Sequence, residues 1–158
     1  MQRVVFDFDI VSPYAYLAFE RLPAALEGLS HHVEYRPLLF AGLLKHWGNT
    51  APVAVEPKKA WLFRQCAWMA ERDDIVFQPP TPHPFNPLAL LRLLADAIAP
   101  VRDPAGPEVK AELQARTAQA AEAGVFGVPT FRLDDGPLFW GTDSMEMLAD
   151  AMRKRIAG

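Results

Sequence analysis

The chain has 158 residues, 51% of them hydrophobic and 22% charged, with a formal net charge of −3; this supports one core-forming domain, alone or with an inserted subdomain, and excludes disorder and collagen-like repeats. A mildly acidic balance without basic runs argues against nucleic acid as a partner, and the single cysteine, Cys66, excludes an internal disulfide or a Cys-x-x-Cys pair. No apolar run approaches the roughly 20 residues of a membrane span, and Asp7 and Asp9 break the first apolar stretch, so no signal peptide is read there and a soluble, cytoplasmic protein is expected.

Residues 3 to 10 alternate with period 2, Phe6, Phe8 and Ile10 pointing one way and Val5, Asp7 and Asp9 the other, as a strand does. Ser12 then stands as an N-cap and Pro13 at the first helical position. The helix that follows carries an apolar stripe at Tyr14, Leu17, Ala18, Leu22, Ala25, Leu26 and Leu29, and Gly28 loosens its end. Residues 32 to 37 form a second short strand, which completes a βαβ unit. Two helices are expected in the middle of the chain. One starts at Pro57 with Trp61, Leu62, Gln65, Cys66 and Met69 on a stripe; the other starts at Asn86-Pro87 with Leu88, Leu91 and Leu94 or Ala95. The Pro-rich segment 78 to 85 between them is an irregular loop, and 99 to 107 is a second proline-rich joint. An alanine-rich helix over 108 to 123 closes at Gly124. A strand follows Pro129, Asp134-Asp135-Gly136 turns the chain, and 137 to 140 returns. The last helix carries Met145, Leu148, Ala149, Met152 and Ile156 on one face. The order predicts an α/β, thioredoxin-like fold, residues 1–37 and 108–158, with a shortened α-helical subdomain inserted over 38–107.

In that layout three features converge on one mouth. Ser12 offers a hydroxyl beside the unsatisfied N–H groups of a helix N-terminus, which together stabilise an anion such as a thiolate; Ser-Pro is equally a good helix start. The Val128-Pro129 turn is a candidate cis linkage whose backbone can pair with a peptide-like ligand by strand addition. Thr142, Asp143 and Ser144 open the last helix, where Asp143 and Glu146 fit a capping box and the same residues suit an amino-acid zwitterion. Cys66 reads as a core thiol. His31, His32, His46 and His83 lack metal-ligand spacing, so no metal is expected. Trp47, Trp61, Trp68, Phe85 and Trp140 are candidates for an aromatic pocket as well as for the core. No Gly-x-Ser-x-Gly or phosphate loop is present.

Phe-Asp-Phe-Asp-x-x-Ser-Pro-Tyr-Ala-Tyr-Leu-Ala (6–18), Gly48-Asn49, Pro57-Lys58, Pro84-Phe85-Asn86-Pro87, the run from Gly124 to Phe131, and Phe139-Trp140-Gly141-x-Asp143 together resemble the 2-hydroxychromene-2-carboxylate isomerases. These are relatives of kappa-class glutathione transferases within the DsbA-like thioredoxin superfamily. The resemblance implies glutathione as cofactor, Ser12 activating its thiol, Val128 ahead of Pro129 contacting the cysteinyl unit, and Thr142, Asp143 and Ser144 at the γ-glutamyl end. It places Asn49 and Lys58 at the glycyl end and the substrate site, and Asn86 and Phe85 beside the substrate, a small aromatic compound. It also implies a homodimer. Two departures stand out: Ser144 replaces the family's Arg, and the helical insert is shorter than usual. A glutathione transferase acting on electrophiles and a non-catalytic thioredoxin-fold peptide binder are the alternatives.

Overall fold

The computed structural model describes residues 1–97, 103, 106–134 and 136–157. In chain order it has β1 (Gln2–Phe8), α1 (Pro13–Ala25), β2 (His31–Pro37), α2 (Phe40–Trp47), a 3₁₀ turn (Pro52–Ala54), α3 (Glu56–Arg72), α4 (Leu88–Ala97), α5 (Pro107–Glu122), β3 (Thr130–Leu133), β4 (Leu138–Trp140), a second 3₁₀ turn (Thr142–Ser144) and α6 (Met145–Ala157). The sheet order is β2-β1-β3-β4. β1 runs parallel to β2, and β3 is antiparallel to both β1 and β4. This is the thioredoxin-like arrangement expected from the sequence. The joint expected over 99 to 107 lies mostly outside the described residues, as does Asp135 of the hairpin turn.

α1 and α6 cover one face of the sheet, where Phe6 stacks on Phe131 at 5.0 Å amid Leu22, Leu26, Leu148 and Met152. Each such side chain contributes about 1.5–3 kcal/mol by leaving water. Leu43 of α2 packs with Ala120 and Ala121 of α5 in a second cluster, which reaches Val128. A third, Leu17 with Leu62, Cys66 and Met69, binds α3 to α1. The helical insert is thereby packed into the thioredoxin framework at two separate points.

Several local expectations change. β1 stops at Phe8 because Asp9 begins a turn, its carboxylate accepting the Val11 N–H. The residues of β1 on the other face are not solvated: Val5 and Asp7 are both buried. α2 was not expected from the sequence. Its first N–H groups are capped from distant parts of the chain, Leu39 by Thr117 Oγ1 at 2.9 Å and Phe40 by Asp9 Oδ2 at 2.8 Å, so no local cap marks its start. Its end does carry a signal, Gly48 in the left-handed region at φ 62°. Trp61 and Ile156 lie outside the core, 55% and 62% exposed; Arg64 stacks over the Trp61 ring at 4.6 Å. No side-chain cap forms at the Thr142–Ser144 turn, so the expected Asp143–Glu146 box is replaced by a 3₁₀ entry, and α6 begins at Met145.

Asp7 meets Arg132 of β3 through two hydrogen bonds of 2.6 and 3.0 Å. Burial pushes its carboxyl pKa up, and the guanidinium holds it down only in part. Removing Arg132 leaves a buried carboxylate without its hydrogen-bonded cation. Arg132→Ala is therefore expected to cost about 3 kcal/mol in urea unfolding, and Asp7→Leu in the same background should restore much of the loss.

Candidate active site

The C-terminal end of β1 delivers Asp9, Val11 and Ser12 to a turn closed by the Ser12 N–H on the Asp9 carbonyl at 3.0 Å. Ser12 is the N-cap of α1, accepting the Ala15 N–H on its hydroxyl at 3.3 Å, with Pro13 in the first turn. Opposite it, residues 127 to 130 enter β3. The Val128-Pro129 bond is cis, and the Ser12 hydroxyl reaches the Val128 carbonyl at 3.5 Å. Thr130 Oγ1 bonds the Gly127 carbonyl at 2.8 Å and fixes the turn. Among the described residues nothing takes up the Val128 N–H, although that residue is buried. A Cβ on Gly127 would come within 2.6 Å of the Trp140 indole nitrogen, so only glycine admits that ring here.

A cavity of about 780 Å³ opens between this pair and the helical insert, with Ser12, Val128, Asn49, Lys58 and Phe85 in its wall. Five predicted site residues therefore share one space, although they are up to 116 positions apart. Among the described residues no carboxylate pairs with Lys58, so its ammonium stands uncompensated near the N-terminus of α3. Asn49 follows the Gly48 cap, and its side-chain oxygen accepts the Thr50 N–H at 2.8 Å. Asn86 is not in the wall; its side chain accepts the Leu88 N–H at 3.1 Å where α4 starts.

The third expected feature lies next door. Thr142 and Asp143 line a neighbouring cavity of about 720 Å³ with Gln65, Trp68 and Arg72. Ser144 is buried and spends its hydroxyl on the Gly141 carbonyl. A hydrogen bond of 2.7 Å from Tyr14 to Gln65 Oε1 stands between the two spaces. Burial, with smaller contributions from Cys66 and Asp143, pushes the Tyr14 hydroxyl up to about 12, so it remains a donor at neutral pH. Of the five candidate aromatics, Phe85 and Trp140 line the main cavity and Trp68 the second; Trp47 donates its indole N–H to the Val125 carbonyl at 2.9 Å. Cys66 is fully buried and its thiol is pushed up to about 12 by burial, a core thiol and no nucleophile.

Two further residues line this wall: His83, which the sequence reading put at the surface or a pocket rim, and Asp9, which it put in the first strand without a role. His83 sits 2.8 Å from the Val11 carbonyl through Nε2, which therefore carries the proton, while Nδ1 is shielded without a partner. Asp9 is buried, and among the described residues two backbone N–H groups, not a cation, hold its carboxylate. Burial pushes it up to about 6, the two N–H bonds offsetting part of the rise. Two aspartates among the apolar residues 4 to 10 were the available signal. Among the described residues no cluster of His, Cys, Asp or Glu is arranged to hold a metal ion.

The profile of the DSBA-like thioredoxin domain matches residues 3–97 and 93–153. Glutathione S-transferase kappa 1 of Caenorhabditis elegans is 29% identical over 83 residues, 51% of this chain and 36% of that protein. Kappa 2 of the same organism is 28% identical over 78 residues, 49% of this chain and 35% of that protein. The matches thus span about a third of the length of these curated relatives. A solved 2-hydroxychromene-2-carboxylate isomerase superposes with a TM-score of 0.78 at 22% identity, covering 98% of this chain and 96% of the other. A probable DsbA oxidoreductase from Streptomyces coelicolor gives 0.67 at 18%, covering 99% and 91%. At these identities the two superpositions establish the fold.

Asp9 makes stability depend on pH. Its folded-state pKa is raised above the ordinary 3.8, so its contribution is full below about pH 4 and lost as pH rises through about 6. The stability advantage of the wild type over Asp9→Asn, from urea unfolding, should therefore fall by on the order of 2–3 kcal/mol between about pH 4 and 7. A constant difference would show that the carboxyl titrates normally.

Proposed function

The chain belongs to the DSBA-like thioredoxin domain family, and from that premise we propose that it is a glutathione-dependent isomerase interconverting 2-hydroxychromene-2-carboxylate, or a related bicyclic aromatic catabolite, with the trans-benzylidenepyruvate. One observation carries this reading. A helix-capping serine reaches the carbonyl of Val128, and in the same cavity wall the Val128 N–H and the Lys58 ammonium meet no partner among the described residues. That donor set fits a cysteinyl peptide. The Val128 N–H would hold its backbone, Ser12 and the α1 N-terminus its sulfur, Asn49 its glycyl end, and Thr142 with Asp143 its γ-glutamyl end, next to Arg72 in the neighbouring cavity.

Glutathione, when bound, supplies a nucleophilic sulfur able to add to and leave an electron-poor ring carbon, which turns a locked double bond into a rotor. Ser12 donates its hydroxyl proton to the sulfur anion and so lowers the cost of forming it. The α1 N–H groups add their partial positive charge. Lys58 pairs with the carboxylate of the substrate, and Phe85 and Trp140 offer ring faces to its aromatic body. The likeness to the kappa glutathione transferases supports a second reading, conjugation of electrophiles, which uses the same glutathione contacts and differs in the acceptor. The reading also carries a homodimer and a cytoplasmic setting; among the described residues no helix is long and apolar enough to cross a membrane.

The test follows chromene-carboxylate ring opening by ultraviolet absorbance, with and without glutathione. Turnover should require glutathione, and Ser12→Ala should lower it by roughly 10²–10³-fold at neutral pH, as loss of one anion-stabilising donor does. Lys58→Met should raise KM for the carboxylate substrate by about 10-fold or more while changing kcat less. Conjugates in place of ring-opened product would favour the transferase.

A further inference from the structure

The main cavity contains a buried acid that the proposed chemistry leaves unused. Asp9 shares its wall with Ser12, is fully shielded, and accepts one backbone N–H on each oxygen, from Val11 at 2.9 Å and from Phe40 at 2.8 Å. A carboxyl oxygen keeps a lone pair after protonation, so a proton can be added without breaking either bond.

The charged groups around Asp9 leave that role open. Tyr14 of α1, Lys58 of α3 and His83 of the insert loop share the cavity wall. On β1, Asp7 is neutralised by Arg132 of β3, and Arg36 of β2 lies beside that pair. Lys45 and His46 sit in the far turn of α2, and Arg116 of α5 pairs with Glu112. Among the described residues no ion pair reaches Asp9 itself.

A thiol that loses its proton beside Ser12 places a second anion in the same cavity, and two like charges there raise each other's proton affinity. Resting on the glutathione reading above, we propose that Asp9 takes up the proton released when a thiol ionises against Ser12, so that thiolate formation moves a negative charge within the cavity instead of adding one. The S–H bond breaks with its electron pair left on sulfur, an O–H bond forms on the carboxylate, and nothing is oxidised or reduced. Burial already makes this carboxylate hold a proton more tightly than an ordinary aspartate, which is the bias such an acceptor needs.

The experiment counts protons. Glutathione is titrated into the full chain by calorimetry in buffers of different ionisation enthalpy, while ultraviolet absorbance reports the thiolate. Near pH 7, where the free thiol still holds its proton, the thiolate band should form with far less than about one proton released per site. Asp9→Asn should release about one proton already near pH 7, and S-methylglutathione, which has no ionisable thiol, should release none in either protein. A thiolate band accompanied by a full proton from the wild type near neutral pH overturns the proposal and leaves the glutathione reading intact. Glutathione that does not bind, or binds without forming a thiolate, overturns both. Asn cannot accept both backbone N–H groups as carboxylate does; should that variant fail to fold, the wild-type proton count near pH 7 decides alone.

Discussion

Asp9 places a carboxylate in the interior and satisfies it with two backbone N–H groups that come from different parts of the fold. One bond, to Val11, shapes the turn that presents Ser12; the other, to Phe40, caps a helix whose C-terminal end carries Gly48 and Asn49. A single side chain therefore sets the separation between the serine side of the cleft and the arm of the helical insert. Two residues upstream Asp7 solves the same burial problem differently, with a guanidinium from the next strand. An ion pair locks strands together, whereas a carboxylate held only by amides remains free to change its protonation state.

The cleft built on that brace combines an anion-friendly and a strand-like side. The first turn of α1 contributes the Ser12 hydroxyl and oriented N–H groups, and the turn before β3 contributes a backbone edge whose Val128 donor meets no partner among the described residues. Gly127 is part of the same construction, because the Trp140 ring occupies the volume a Cβ would need. Lys58 adds the only strong positive charge that the described part of the main cavity's wall offers an incoming carboxylate. The neighbouring cavity is richer in ionic groups. Arg72 of α3 lies there beside Thr142 and Asp143.

Much of this was legible from local pattern. The strand β1, the Ser12-Pro13 start of α1, the stripe Leu17, Ala18, Leu22 and Leu26, and the Gly124 stop after α5 all reappear in the structure, because each depends on neighbours within a turn or two of chain. α2 was not legible, since the groups that cap it, Asp9 and Thr117, are 31 and 78 positions away. Trp61 and Ile156 were misplaced for a related reason: periodicity tells which residues share a helix face, and only packing tells how wide a stripe of that face is covered.

The sequence by itself determined the α/β order, the serine at a helix start, the Val128-Pro129 turn and the family to which these motifs belong. Tertiary structure decided which of those residues meet. It brought Ser12, Asn49, Lys58, Phe85 and Val128 to one cavity, left Thr142 and Asp143 across the Tyr14–Gln65 bond, and turned Asp9 from a strand residue into a buried acid in the wall. The division has a physical origin. Backbone propensity and capping act over a few residues and can be read in order, but burial, and with it the proton affinity of a carboxylate, depends on atoms that arrive from elsewhere in the chain.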